Sequence, residues 1–146
     1  MEFFAPLALL VTLAVATALG VLWKSRQGRV QREAATLIDA KYLDAKAAIT
    51  IVMFSSEYCA YCPQQWRLIE DAVSAAGDLA MRSIDIAADG AISNRLAVTQ
   101  TPTTLLVSAG GEVLSRIGGL ARRDVLKREI DYARQKRRDK NDEYLI

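Results

Sequence analysis

The pattern of apolar and polar residues separates an uncharged N-terminal run from a longer part in which the two kinds alternate. Residues 3–23 contain no charged side chain, and a helix of that length spans roughly 30 Å, the thickness of the apolar layer of a membrane. The pattern therefore predicts a transmembrane anchor at 1–23. A cleaved secretory signal is the alternative, because small residues such as Ala14 and Ala16 offer cleavage sites, although the apolar part of such signals has only about 7–15 residues.

From residue 48 onward, short apolar runs rich in β-branched residues alternate with segments whose apolar positions recur at helical spacing. Helical crossovers make neighbouring strands parallel, whereas the turn at 109–112 predicts an antiparallel hairpin. We predict strands at 48–54, 79–86, 103–108 and 113–117 and helices at 60–76, 91–98 and 122–138. The fold class is thus α/β, with a central mixed β-sheet flanked by helices on both faces and preceded by one N-terminal transmembrane helix.

Four segments follow from these patterns. We predict the anchor at 1–23, a basic juxtamembrane linker at 24–33, one folded domain at 34–133 and a charged C-terminal tail at 134–146. Within 34–46 the apolar spacing suits either a short helix or an irregular first strand.

Charge is distributed unevenly along the chain. The linker carries Lys24, Arg26, Arg29 and Arg32, and the positive-inside rule places such a flank in the cytoplasm. The body of the chain is acidic, with ten Asp or Glu against six Lys or Arg over 33–121. A nucleic-acid-binding domain carries its basic residues on the folded part, so we expect no nucleic-acid partner. The basic ends suit an anionic membrane surface, to which residues 3–23 would attach the chain.

The chain has two cysteines, Cys59 and Cys62, and no histidine. They follow a predicted buried strand and begin the next helix, and their spacing puts both sulfur atoms within reach of one disulfide. A helix N-terminus stabilises a thiolate, so we expect the pKa of the exposed Cys59 to fall below the free value of about 8.5. The missing histidine removes Cys-His hydrolases and most zinc sites.

Three other roles for this pair remain open. A structural disulfide is disfavoured because so short a loop restricts the unfolded chain little. Half of a four-cysteine metal site needs ligands from a second chain, and two inert buried cysteines are the third possibility. A C-x-x-C pair between a buried strand and a helix favours redox chemistry, with no metal and no cofactor other than a redox-active Cys59–Cys62 disulfide.

The sequence resembles the thioredoxin family over roughly residues 34–132. The resemblance is carried by SSEYCAYC at 55–62, VTQTPTTLLV at 98–107 and GGEVLSRIGGL at 110–120. It implies that Cys59 and Cys62 are catalytic, that the Thr101–Pro102 bond is cis, and that the Thr101 backbone pairs with an extended substrate segment. The residues that it places around the substrate groove are Tyr58, Ala60, Tyr61, Thr101, Pro102 and Gly118.

The sequence departs from the family pattern at several positions around the pair. Ala60 and Tyr61 replace the usual Gly-Pro, and Tyr58 replaces the usual Trp. Met53 stands where the family has a buried acid, so Cys62 either reacts more slowly or relies on Glu57 or a water. Arg67 replaces the proline that kinks the active-site helix, while Pro63 follows the second cysteine, where a missing N–H costs little. We expect Trp66 to pack in the core or groove, and Asp85 to be a strand-end acid without a chemical role.

These features together predict a membrane-anchored thiol–disulfide oxidoreductase that reduces protein disulfides from the cytoplasmic side. Its partners would be protein disulfide or dithiol substrates and an upstream thiol reductant such as a thioredoxin reductase. Two alternatives stay open. The same domain on the other side of the membrane would serve cytochrome maturation or disulfide formation, and a domain with a vestigial dithiol would be a tethered interaction module.

Overall fold

A computed structural model describes residues 4–26, 28–32 and 36–143, with the side chains of 7–22, 24 and 25 in the first helix. In chain order, the elements are α1 (Phe4–Arg26), β1 (Arg29–Gln31), a 3₁₀ turn (Ala40–Tyr42), β2 (Ile49–Ser55), α2 (Cys62–Ser74), β3 (Leu79–Asp85), α3 (Gly90–Arg95), β4 (Thr103–Ser108), β5 (Val113–Gly118) and α4 (Arg123–Glu143).

The five strands form one mixed sheet in the order β1-β5-β4-β2-β3. Strands β2 and β3 are parallel because α2 crosses over between them, and the other neighbouring pairs are antiparallel. The β4–β5 connection is the predicted hairpin. The parallel pair followed by a hairpin confirms the predicted α/β class with a mixed sheet.

Two hydrophobic cores lie on the two faces of the sheet, because successive side chains of β2 point to opposite sides. Ile49, Ile51 and Met53 pack with the apolar faces of α2 and α4. Val52 and Phe54 pack on the other side, with residues of α3 and of the 38–43 segment. Helices therefore cover both faces, as the sequence predicts, and β2 is buried between them.

Helix α1 contains most of the uncharged run. Its large apolar side chains between residues 7 and 22 are exposed, with Leu9 at 71% of its full accessibility. Among the residues described, no helix was found that is long and apolar enough to cross a membrane. The predicted span at 1–23 begins outside the described residues and is not confirmed by the fold.

The described residues of the predicted linker at 24–33 include parts of two regular elements. Residues 24–26 continue α1, and Arg29–Gln31 form β1, which pairs antiparallel with Arg116–Gly118 of β5. Val30 packs against the core. A three-residue strand has too little pattern to be recognised in the sequence, and its pairing depends on a strand far along the chain.

Other boundaries shift for local reasons. Helix α4 runs on to Glu143, past the predicted end at 138 and into the predicted tail, and 144–146 lie outside the described part. Salt bridges from Lys136 and Lys140 to Glu112 hold the added turns against the hairpin. Helix α3 ends at Arg95, before Ala97, whose φ of 48° is left-handed. The ambiguous segment 34–46 holds the 3₁₀ turn and one bridge, Leu37 to Glu112.

A bidentate ion pair joins α4 to the start of β3. Arg134 donates through Nε and one terminal nitrogen to the two carboxylate oxygens of Asp78, at 2.8 and 2.6 Å. The Asp78 carbonyl also accepts hydrogen bonds from the backbone of Ala48 and Ile49. The hydrogen bonds from Arg134 hold the pKa of Asp78 below its usual value of 3.8. The pair thus stabilises the charged carboxylate in the folded state.

Asp78→Asn is expected to lower the free energy of unfolding by about 1 kcal/mol at pH 7, a value limited by the partial exposure of the pair. The folded pKa lies below the unfolded one, so the contribution is present above about pH 4 and disappears as the pH falls through the folded pKa. Urea unfolding of both proteins between pH 2 and pH 7 measures the difference. Asp71→Asn, which breaks a more exposed pair with Arg123, is the control and should cost less at pH 7, and the difference between the two variants should vanish toward pH 2.

Candidate functional site

The two cysteines are joined in a disulfide at the junction of β2 and α2. The S–S distance is 2.09 Å and the two Cα atoms are 5.5 Å apart. Cys59 lies in the loop and is partly exposed, whereas Cys62 is the first residue of α2 and is 7% exposed. One sulfur atom of the pair is therefore accessible to a partner molecule, and the other is shielded.

Backbone hydrogen bonds shape the loop around the pair. The Cys59 N–H donates to the Ser56 carbonyl at 3.1 Å, and the Cys62 N–H donates to the Cys59 carbonyl at 3.4 Å. Pro63 lies in the first turn of α2. Backbone N–H groups in the first turn have no acceptor within the helix, so the missing N–H of proline removes no helical hydrogen bond. The first turn contains no acidic residue, so nothing there opposes the positive end of the helix dipole.

The loop before β4 lies against the cysteine loop. The Thr101–Pro102 peptide bond is cis, as the resemblance implies. The hydroxyl groups of Thr101 and Ser56 are hydrogen-bonded at 3.2 Å. Pro102 is buried and Thr101 is partly exposed. The fold thus brings Thr101 and Pro102, more than forty residues away in the chain, next to the C-x-x-C loop.

Gly118, at the end of β5, borders the same region from the side of β4. It pairs with Thr103, the residue after the proline, and the Gly119 N–H donates to the Pro102 carbonyl at 2.7 Å. A side chain at 118 would meet the end of the Gln100 side chain. Of the expected groove residues, Gly118 therefore lies beside the 101–102 loop.

The side chains that flank Cys59 point into solvent. Tyr58 is 91% exposed, Tyr61 is 48% exposed, and Ala60 is also exposed. Trp66 is partly buried and packs against the core, in agreement with the expectation. The Asp85 carboxylate accepts a hydrogen bond from the Ala87 N–H at 2.8 Å, which is the capping role of a strand-end acid.

An open cavity of about 540 Å³ lies behind the disulfide, between β2, β3 and α2. Both cysteines line it, together with Met53 at the position where the family has a buried acid. Carboxylates reach the cavity from Glu57 in the cysteine loop and Glu70 in α2. Cys62 therefore borders an open cavity although no acid stands at position 53 on β2.

Two parts of the site region are not visible in the sequence pattern. Residues 28–31 lie beside Gly118, where the Gly28 N–H donates to the Gly118 carbonyl at 2.8 Å. Gln65 is fully buried in α2 and its side-chain oxygen accepts a hydrogen bond from the Ala121 N–H at 2.8 Å. The one sequence signal that could have indicated the contact between Gln65 and Ala121 is a glutamine at a helical position that faces inward.

The comparisons with known proteins agree with this geometry. A family model described as Thioredoxin matches residues 35–132, more than half of the chain. A comparison of the sequence with curated proteins found no match.

Solved structures with the same fold include several thioredoxins. A mutant thioredoxin from Halobacterium salinarum NRC-1 is 24% identical, with a TM-score of 0.52 over 57% of this chain and 72% of that one. Oxidised mitochondrial thioredoxin 3 from Saccharomyces cerevisiae is 20% identical, with a TM-score of 0.52 over 60% and 81%. A malaria parasite thioredoxin-2 is 17% identical, with a TM-score of 0.56 over 70% and 98%.

The family match covers the sheet, the helices that flank it and the segment that carries both cysteines. The cysteine pair stands at the start of α2 with one accessible sulfur atom, beside the cis Thr101–Pro102 loop. The chain therefore belongs to the thioredoxin family, and with this C-x-x-C pair it is a thiol–disulfide oxidoreductase.

Proposed function

We propose that this protein reduces disulfides in other proteins while held at a membrane by residues 3–23. The observation that carries the redox part is the pairing of a partly exposed Cys59 with a buried Cys62 at the start of α2. Membership in the family implies thiol or disulfide substrates and a thiol reductant as partners. A thioredoxin reductase is our specific proposal for the reductant.

Each turnover moves two electrons from the dithiol to the substrate. The Cys59 thiolate, stabilised by the N-terminus of α2, attacks one sulfur of a substrate disulfide, and the other substrate sulfur leaves and takes a proton. Cys62 then loses its proton to water in the cavity and attacks the Cys59 sulfur. The Cys59–Cys62 disulfide forms, the second substrate sulfur leaves as a thiol, and the reductant restores the dithiol.

The substrate groove that we propose consists of the cysteine loop, the 101–102 loop and the end of β5. Thr101 precedes the strand β4 and is partly exposed, and we propose that an extended substrate segment pairs with its backbone as an added strand. The exposed Tyr58 and Tyr61 rings and the small Ala60 and Gly118 would line the path of that segment.

The reduction potential tests the direction of electron flow. We expect a value near about −270 mV, typical of a reductant, rather than near about −120 mV, typical of an oxidant. Equilibration of the purified protein with glutathione buffers, read by trapping free thiols, gives the value. An oxidant-like potential would instead favour the alternative role in disulfide formation or cytochrome maturation outside the cytoplasm.

The membrane part is supported by the uncharged run at 3–23 and by the exposed apolar side chains of α1. We propose that the domain lies in the cytoplasm, because Lys24 and the arginines at 26, 29 and 32 follow the run. Sidedness is measured in a Cys59→Ser/Cys62→Ser variant with one cysteine added after Ile146. A membrane-impermeant maleimide should label it only after the cells are permeabilised, and labelling of intact cells would place the domain outside.

A further inference from the structure

We propose that the redox site faces the membrane surface to which α1 is attached, and that its substrates are cysteine pairs of integral membrane proteins close to the bilayer. This inference rests on the proposed membrane attachment. Beyond the proposed function, it specifies how the domain is oriented on the membrane and which class of proteins it reduces.

Strand β1 lies close to the redox site across the sheet. Phe54, Thr103, Gly118 and Arg29 are successive neighbours across four strands. Phe54 lies at the end of β2 from which the cysteine loop leaves, and Thr103 follows Pro102. Since neighbouring strands are about 4.8 Å apart, Arg29 lies only about 10 Å across the sheet from the start of β4.

The chain enters the sheet from the end at which the cysteine loop lies. Strand β1 begins at Arg29, at the redox end of the sheet, where β2 ends and β4 begins, and runs in the direction of the hairpin as far as Gln31, which pairs with Arg116. Gly28 is bonded to the Gly118 carbonyl at this same end, and one residue separates it from the end of α1 at Arg26. The chain therefore passes from the end of α1 into the redox end of the domain and not into the hairpin end.

Contacts with β5 and α4 hold residues 28–32 firmly against the domain. The Arg32 guanidinium lies 3.3 Å from Glu129 and 4.0 Å from the centre of the Tyr132 ring, both on α4. The Glu129 side chain is 5% exposed and also accepts a hydrogen bond from the Ser115 hydroxyl at 2.7 Å. A buried carboxylate that loses its cation is costly, so residues 28–32 act as a docked strand rather than as a flexible tether.

The chemistry of the redox end suits a lipid headgroup layer. Tyr58 and Tyr61 are exposed on either side of Cys59, and tyrosine rings are enriched at membrane–water interfaces. Lys24 and Arg29 are exposed on the connection itself and would attract anionic headgroups. The bilayer is thus the partner that we assign to this end of the domain.

This orientation selects substrates by where their cysteines lie. A cysteine pair displayed a few residues outside the bilayer is at the height of Cys59, and it shares the plane of the membrane with the enzyme. Attachment of both molecules raises their effective concentration for one another. A pair displayed far from the bilayer has to fold back to reach the same site.

Spin labels at the two ends of the sheet test the orientation. The full chain carrying Cys59→Ser and Cys62→Ser receives either Ala60→Cys at the redox end or Gly110→Cys at the hairpin end, about 20 Å away along the strands. In vesicles containing nickel-chelating lipid, we expect strong relaxation of the label at 60 and weak relaxation at 110. Equal relaxation, the reverse order, or release of the protein from the vesicles would overturn the proposal.

Two membrane-embedded disulfide peptides test the substrate class. They share one transmembrane sequence and differ in a spacer of about 5 or about 30 residues before the disulfide. We expect about five-fold faster reduction of the short-spacer peptide, and loss of that preference when about eight Gly and Ser residues are inserted after residue 27. The native protein and the insertion variant should reduce soluble insulin at equal rates. If neither reduces insulin, the proposed function is contradicted. If insulin is reduced but the native protein reduces the two peptides at equal rates, only this inference is contradicted.

Discussion

Cys59→Ser is expected to lower the rate of disulfide reduction by about 10³-fold or more, because a serine hydroxyl is not ionised at neutral pH and cannot replace the thiolate nucleophile. Cys59 is the cysteine with the accessible sulfur atom, so the remaining Cys62 is too shielded to take over the attack. Insulin reduction with a dithiol reductant measures the loss.

Cys62→Ser is the matched variant, since it removes the other sulfur atom and keeps the nucleophile. We expect it to react once with a protein disulfide and stop as a mixed disulfide through Cys59, which mass spectrometry detects. Trapping by Cys59→Ser instead of Cys62→Ser would reverse the assigned roles. Full activity in Cys59→Ser would remove the catalytic role altogether.

The non-catalytic alternative is separated by the double variant. If the protein is a tethered interaction module, Cys59→Ser/Cys62→Ser still rescues a strain that lacks the native protein. If the protein acts as a redox enzyme, the double variant does not rescue that strain. The cavity behind the disulfide argues for the enzyme, because it gives Cys62 access to water despite the methionine at position 53.

Gly111→Ala is expected to cost about 3 kcal/mol or more of the free energy of unfolding. Gly111 has φ of 87°, where a side chain is strained, and an added Cβ would lie 2.5 Å from the backbone oxygen of Ile38. The Gly111 carbonyl also accepts the hydrogen bond from the Ile38 N–H at 2.8 Å, so the two segments cannot move apart without losing it. Urea unfolding followed by circular dichroism measures the cost.

Gly110→Ala in the same turn is the control. Its Cβ would meet only the Ser108 hydroxyl oxygen at an ordinary distance of 3.8 Å. We expect a change within about 0.5 kcal/mol, as for most surface substitutions. Equal losses of unfolding free energy in the two variants would show that the turn is destabilised by any added side chain. The close approach of Ile38 would then not be the cause of the loss in Gly111→Ala.

The central part of the fold could be predicted from the sequence because its signals are local. The apolar run of β2, the C-x-x-C pair after it and the Gly110-Gly111 hairpin each act over a few residues, and the structure places them as expected. The boundaries of helices and strands differ from the predicted ones where tertiary contacts determine them. Helix α4, for example, runs past the expected end at 138 while Glu112 binds Lys136 and Lys140.

The surroundings of the dithiol could be predicted only in part. The resemblance led to the cis bond before Pro102 and to its position beside the cysteine loop, and both are seen. The docking of residues 28–32 could not be predicted from the sequence. It depends on the pairing of a three-residue strand with β5 and on the salt bridge from Arg32 to Glu129, which is buried in the folded state. Neither contact leaves a periodic pattern in the sequence.

The pairing of β1 with β5 has a consequence for the order of events during synthesis. Arg29 and Gly118 are about ninety residues apart, so at about 5–20 residues per second the partner strand leaves the ribosome roughly 5–20 s after β1. Under the proposed attachment, helix α1 has left the ribosome and can insert into the membrane during that interval. The angle between the domain and the membrane would then be fixed only when β5 has been made and pairs with β1.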